Sequence, residues 1–222
     1  MSTVIQGIIF DMDGVIADTT EHHYQSWRRL GEEEGMTFSR DDNEGIRGMT
    51  RRASLEVFLR GRVLDDTTAQ AWMTRKNQYF HENMRQMTPD DALPGVIRLL
   101  DEIKVAGLKL GVGSSSRNAR PVLEQLQLAA RFEVIGDGHV VINSKPAPDI
   151  FMWVAGALRL FPSQILILED AGAGVEAALN AGFHVVGIGN APGIEQAHHT
   201  VDSLADVHLA DLLALFETLQ KT

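Results

Sequence analysis

Short apolar runs, rich in β-branched residues and separated by helix-like segments, recur along this chain, and that alternation limits the fold more than any other feature. The run Val4 to Phe10 (VIQGIIF) is too short for a typical helix and stops abruptly at Asp11, which reads as a buried strand. Similar runs stand at Leu108 to Val112, Phe132 to Ile135, Ile165 to Leu168 and His184 to Ile188, with helix-like segments between them. Strands alternating with helices imply a parallel sheet. The helices carry ordinary punctuation: Leu99, Leu100 and Ile103 mark an apolar face that ends at Gly107, and Val175, Ala178 and Leu179 mark another that ends at Gly182. Crossover helices on both faces make the expected core a doubly wound, Rossmann-like α/β sheet.

From Ala17 to Ala92 the alternation breaks. Three helix-like patterns (Glu21 to Glu34, Arg51 to Leu59, Thr67 to Met87) follow one another with no convincing strand. This reads as a helical cap domain, residues 17–92, inserted into a core made of residues 1–16 and 93–222. The insertion lies between the first strand and the helix that starts after Pro94-Gly95, so both of its ends return to the carboxyl edge of the sheet, where ligands of such folds bind. A helical module at that edge is suited to act as a lid.

Composition removes several classes of function. None of the 222 residues is cysteine, so thiolate metal sites, cysteine nucleophiles and disulfides are excluded, and any metal must use oxygen or imidazole. Thirty acidic residues against 20 Lys and Arg give a formal charge of -10, which opposes nucleic-acid binding but leaves room for a small anion in a locally basic cleft. The apolar runs are far shorter than the ~20 residues that cross a bilayer. No membrane or nucleic-acid partner is therefore expected, and the reading is of a cytoplasmic monomer acting on a small molecule.

The sharpest local signal is FDMDGVIADT, Phe10 to Thr19, where a buried strand ends in two aspartates one residue apart, followed by glycine. If strand geometry persists through Asp13, both carboxylates face one reaction centre, while Gly14 permits a sharp turn away. Other strand ends add to it. GSSSRN supplies the hydroxyls of Ser114, Ser115 and Ser116 with backbone N–H groups, Asn143-Ser144-Lys145-Pro146 offers one cation, and Glu169-Asp170 adds two carboxylates. Such a set suits magnesium, which binds through carboxylates and substrate phosphate, and a carboxylate that attacks phosphorus.

Together, DxDGVxxDT, the serine loop, SKPAPDIF and LEDAGAGVEAALNAG resemble the four motifs of the haloacid dehalogenase superfamily. The inserted segments HHYQSW, RGMTRRASL and RKNQYF resemble its β-phosphoglucomutase branch. The resemblance implies Asp11 as the nucleophile that becomes phosphorylated and Asp13 as general acid and base. It implies magnesium, with manganese as an alternative, on Asp11, the Asp13 carbonyl and Asp170, with Glu169 as a ligand or close support. Ser114, the Ser115 amide and Lys145 would hold the transferring phosphoryl group. Arg51, Ser116, Arg117 and Asn118 would grip the second phosphate of a sugar bisphosphate. His23 and Lys76 would meet the sugar and Asp13, Thr19 would be the hinge-region partner of Asp13, and Trp27 and Gly48 complete the substrate positions of the cap. The implied activity is sugar-phosphate phosphoryl transfer, either as a mutase or as a phosphatase. The chain departs from the branch at Arg117, where lysine is usual, at Ala17, where threonine is usual, and along Gly136 to Asn143.

Blander readings compete with several of these. Gly172, Gly174 and Ala177 fit a dinucleotide fingerprint, which would make the chain an NAD-binding oxidoreductase, although Glu169 and Asp170 would set negative charge against the pyrophosphate. A non-catalytic phosphate-binding regulator on the same fold is a third class. Tyr24, Trp27 and Leu30 recur at helical spacing and read as packing. His22, His198 and His199 read as surface, as do Glu32 to Glu34 and Asp41-Asp42, and Lys76 alone reads as a helix-surface lysine.

Overall fold

A computed structural model of the protein describes residues 4–46 and 49–219. The chain divides into two compact units, Met1–Asp18 with Pro89–Thr222 in one and Thr19–Thr88 in the other.

The first unit is built on a six-stranded sheet: β1 (Gly7–Phe10), β2 (Lys109–Gly113), β3 (Val134–Gly136), β4 (Ile165–Glu169), β5 (His184–Ile188) and β6 (His199–Val201), in the order β3-β2-β1-β4-β5-β6. All neighbours are parallel. Central strands of a parallel sheet are covered on both faces, and every residue of β1 and β4 is buried. Ile9, Ile165, Ile167 and Val185 form one side of the core with α7 (Asp149–Leu158) and α8 (Gly172–Asn180). The alternate residues Ile8, Phe10, Leu166 and Leu168 are equally buried. With a period of two they must face the opposite layer, where α5 (Val96–Val105) packs on β2 and on α9 (Leu209–Leu219).

Order and register decide where chemistry can occur. The order reverses at β1, whose Phe10 lies level with Val112 of β2 and Leu168 of β4. The next residues along these strands, Asp11, Gly113 and Glu169, therefore emerge side by side at the switch point, where a doubly wound sheet opens a crevice.

The second unit is helical: α1 (Thr20–Glu34), α2 (Arg40–Gly45), α3 (Arg51–Leu59) and α4 (Asp66–Met84). Trp27, Leu30, Phe38, Leu55, Phe58 and Trp72 are among the residues of its core. The Trp27 ring stacks on Phe58 at 4.9 Å, as the helical spacing of Tyr24, Trp27 and Leu30 implies. The acidic run is more than solvated surface: Glu33 accepts from Tyr79 Oη at 2.6 Å and Glu34 pairs with Arg75, tying α1 to α4. Asp42 likewise closes a capping box with Ser39 at the start of α2 and pairs with Arg60 at 2.6 Å.

Candidate active site

The chain leaves β1 through a tight turn. Asp11 keeps the ladder by donating its N–H to the Leu168 carbonyl at 2.9 Å, but regular pairing ends at Phe10, short of the extension to Asp13 that the motif suggests. Between the aspartates, Met12 is fully buried in the core and its carbonyl accepts from the N–H groups of Ile16 and Ala17. Gly14, at φ 81°, makes the reversal and donates to the Ala17 carbonyl at 2.8 Å. Asp11 is buried and Asp13 half-buried. Met12 is thus anchored in the core between the two aspartates.

Lys145 meets Asp11 from across the sheet edge. Its Nζ donates to Asp11 Oδ1 at 2.6 Å and to Glu169 Oε2 at 2.7 Å, and it lies 4.6 Å from the centre of the Phe151 ring. The departures along Gly136 to Asn143 do not displace it, and its bond to Pro146 is cis. Glu169 Oε1 also accepts from the Ala171 N–H at 3.1 Å. Burial lowers the basicity of Lys145, but the carboxylates of Asp11 and Glu169 outweigh it and hold the ammonium above its ordinary range. Burial pushes the Glu169 carboxyl up, with Lys145 opposing and Asp11 and Asp170 reinforcing.

Asp11, Glu169 and Asp170 are all buried, and each offers an oxygen within 4.8 Å of the others. Three carboxylates beside one ammonium leave a formal surplus of negative charge that a divalent cation would neutralise. The donor set is all oxygen, which fits magnesium. On the β2 side, Ser114 is buried. Its N–H donates to the Gly136 carbonyl and its Oγ accepts from the Ser116 N–H, both at 3.1 Å. Ser116 Oγ accepts in turn from Asn118 N–H at 3.1 Å. The buried Ser115 Oγ has no hydrogen-bond partner among the described residues. A hydroxyl left in that condition points to a group that arrives later.

The helical unit gathers its own set. Lys76 is only 5% exposed, which rules out an ordinary surface lysine, and its Nζ lies 2.6 Å from His23 Nδ1. Burial first, then the charges of Lys76, His22 and Arg51, hold the His23 imidazole well below its usual pKa. It is therefore neutral at pH 7 and accepts from the ammonium. His23 stacks on Phe80 at 4.3 Å, and Arg51 donates from Nη2 to Asn77 Oδ1 at 2.9 Å. Thr19 is buried, with its carbonyl accepting from His23 N–H at 3.0 Å. Trp27 is 1% exposed and lies in the core of the helical unit, with its ring 5.3 Å from Lys76 Nζ. Gly48 falls outside the described residues. His198 and His199 are exposed and His22 is half-buried.

Sequence reasoning missed Asn77, which stands beside Lys76 in RKNQYF, and the real use of Gly174. A Cβ at Gly174 would stand 2.1 Å from Glu169 Cδ. The fingerprint glycine therefore accommodates the chain's own carboxylate, so the dinucleotide reading lacks the space it needs.

The haloacid dehalogenase-like hydrolase family matches residues 8–188. The chain belongs to that family, and it is an enzyme. Among its relatives, the β-phosphoglucomutase of Bacillus subtilis (strain 168) is 38% identical over 209 residues, covering 92% of each chain. The phosphorylated carbohydrates phosphatase of Thermotoga maritima is 30% identical over 91% of this chain and 88% of that one. The crystal structure of a β-phosphoglucomutase from Clostridium difficile superposes with a TM-score of 0.93 at 31% identity, covering 99% of this chain and all of the other. The six parallel strands and flanking helices are the fold of this family. Among the described residues no helix is long and apolar enough to cross a membrane.

Proposed function

We propose that the chain is a magnesium-dependent phosphotransferase acting on a sugar phosphate, with β-phosphoglucomutase, β-D-glucose 1-phosphate to glucose 6-phosphate, as the specific activity. The observation that carries this reading is the buried convergence of Asp11, Glu169, Asp170 and Lys145 at the strand ends. In this reading Asp11 attacks the phosphorus of a sugar bisphosphate and forms an aspartyl phosphate, while the P–O bond to the sugar breaks and Asp13 gives that oxygen its proton. In the return step Asp13 takes the proton of another sugar hydroxyl, which attacks the same phosphorus and frees Asp11. Lys145, Ser114 and the Ser115 N–H hold the phosphoryl oxygens. The metal would be held by Asp11, Asp170 and the Asp13 carbonyl with Glu169 beside them, and it would neutralise charge on the phosphoryl group.

The helical unit serves as the cap in this reading. Lys76 and His23 would contact the sugar, and Arg51, with Ser116, Arg117 and Asn118 of the core, would take the second phosphate. Hydrolysis by a related phosphatase is the second reading, favoured by the similarity to a phosphorylated carbohydrates phosphatase; there, water takes the place of the sugar hydroxyl.

The test is an assay with magnesium, β-glucose 1-phosphate and a trace of glucose 1,6-bisphosphate, following glucose 6-phosphate and free phosphate together. Rapid glucose 6-phosphate with little free phosphate is expected; stoichiometric free phosphate would establish the phosphatase instead. Asp11→Asn is expected to be folded and to abolish both products, and substantial turnover in that variant would end the nucleophile assignment.

A further inference from the structure

The loop after β2 and the loop after β3 meet at one residue, Gly138. Its N–H donates to the Ser116 carbonyl at 3.2 Å, and its own carbonyl accepts from Arg117 Nε at 3.2 Å. A Cβ there would stand 2.5 Å from the Ser115 carbonyl oxygen and 3.0 Å from Arg117 Cγ, so only glycine permits this approach. Asp137 shapes the turn that presents it: its Oδ1 accepts from the His139 N–H at 2.8 Å and its carbonyl from the Val140 N–H at 3.1 Å.

Arg117 is exposed, and an unanchored arginine spreads over many rotamers that binding must then restrict. With Nε committed to Gly138, the plane of the guanidinium is set while its two terminal amino groups remain to form a fork. Lysine carries all its donors on one nitrogen, so an anchor would have to hold the same atom that meets the phosphate, with no planar fork beyond it. The two departures from the branch pattern, Arg117 and the segment from Gly136, thus meet in one hydrogen bond.

We propose that Gly138 is a positioning residue that holds Arg117 as a preset bidentate fork for the distal phosphate of the sugar substrate. This rests on the sugar-phosphate reading above. It adds to that reading a means by which affinity for a second phosphate comes from preorganisation rather than from charge alone.

Binding without turnover tests it. Glucose 1,6-bisphosphate is titrated calorimetrically, with magnesium, into the full-length Asp11→Asn protein and into the same protein carrying Arg117→Lys, Gly138→Ala or both. Each added substitution is expected to weaken binding by about tenfold, the worth of one charge-assisted hydrogen bond, and the pair by little more than either alone. An additive loss near a hundredfold, or unchanged affinity in the folded variants, overturns the inference.

The methyl group in Gly138→Ala presses on Ser115 as well, so a second measurement keeps the test independent of that variant. In the Asp11→Asn protein the Arg117 Nε–H, assigned by its absence from Arg117→Lys, is expected to exchange with solvent more slowly than that of Arg120, which is exposed and has no Nε hydrogen bond among the described residues. Equal exchange overturns the anchor. A failure of the Asp11→Asn protein itself to bind the bisphosphate, with the Arg117 Nε–H protected, overturns the functional reading and the use of the fork together.

Discussion

Glu169 is held on three sides: by Lys145, by the Ala171 N–H and by the bare Cα of Gly174. Because the carboxylate is pinned and buried, it cannot swing away from an added methyl group as a surface side chain would. Gly174→Ala is therefore expected to cost about 2 kcal/mol of stability, as overpacking does, and to lower kcat by about a hundredfold through misplacement of Glu169. Urea unfolding beside steady-state assays checks both, and a fully active, fully stable variant would show that Glu169 has room to move. At this scale the polar residues were legible because chemistry restricts them. An Asp-x-Asp at a strand end, a serine loop, a lysine and an acidic pair have few shared uses. The unreadable residues act through shape or position. Gly174 fits two motifs equally well until the side chain against it is seen, and Gly138 lies in a segment without a pattern. Trp27 shows the converse, since its spacing marked it as packing and its 1% exposure agrees.

At the scale of elements, the five apolar runs became β1 to β5, and the four of these strands that are central, β1, β2, β4 and β5, are covered on both faces and so lack polar alternation. β6 was missed because His199–Val201 has two exposed positions and no apolar run marks it, whereas the other three-residue edge, β3, continues the run Phe132 to Ile135. Helix α2 was missed because RDDNEG has no apolar face, and its start depends on the reciprocal bonds of Ser39 and Asp42. Helix α9 depends on another element for its beginning. The Leu209 N–H donates to Glu102 Oε2 at 2.7 Å, and Glu102 Oε1 lies 2.7 Å from His208 Nδ1, so α5 caps α9 from the side. Arg98, one turn earlier, bonds the carbonyls of Leu204, Ala205 and Val207 leading into it. Removal of the acceptor in Glu102→Ala should cost about 1 kcal/mol, the worth of a helix N-cap. Amide exchange in α9 should rise while that of β1 and β4 does not; equal exchange in the variant and the parent would mean that water caps the helix just as well.

For the whole molecule, two histidines held neutral, one in each compact unit, contribute to the dependence of stability on pH. His184 of β5 has a buried Nδ1 without a hydrogen-bond partner among the described residues. Its ring lies 5.5 Å from that of His198 and 4.9 Å from that of Phe216. Burial first and His198 second hold its pKa below the ordinary histidine value, against a smaller upward pull from a backbone hydrogen bond with Ser163. His23 of α1 is depressed further, by burial and by Lys76. Where a folded-state pKa is lowered, the unfolded chain binds more protons at pH values between the two, so stability rises with pH across that window. Both histidines therefore contribute stability that is complete above pH ~6.5 and is lost as the pH falls through their depressed folded values. The two contributions belong to different units and can be separated. His184→Gln should flatten the pH dependence of unfolding for the sheet unit below neutrality, and His23→Gln should do so for the helical unit. His198→Gln should leave most of the slope, because burial rather than its neighbour is the larger cause at His184. Urea titrations from pH 7.5 down to pH 5, read by hydrogen exchange in each unit, give the answer. Slopes identical to the parent in both His→Gln variants would place the origin of acid sensitivity in other groups; Glu169, whose carboxyl is pushed up by burial to about 8, works with the opposite sign in this window, its contribution being lost as the pH rises.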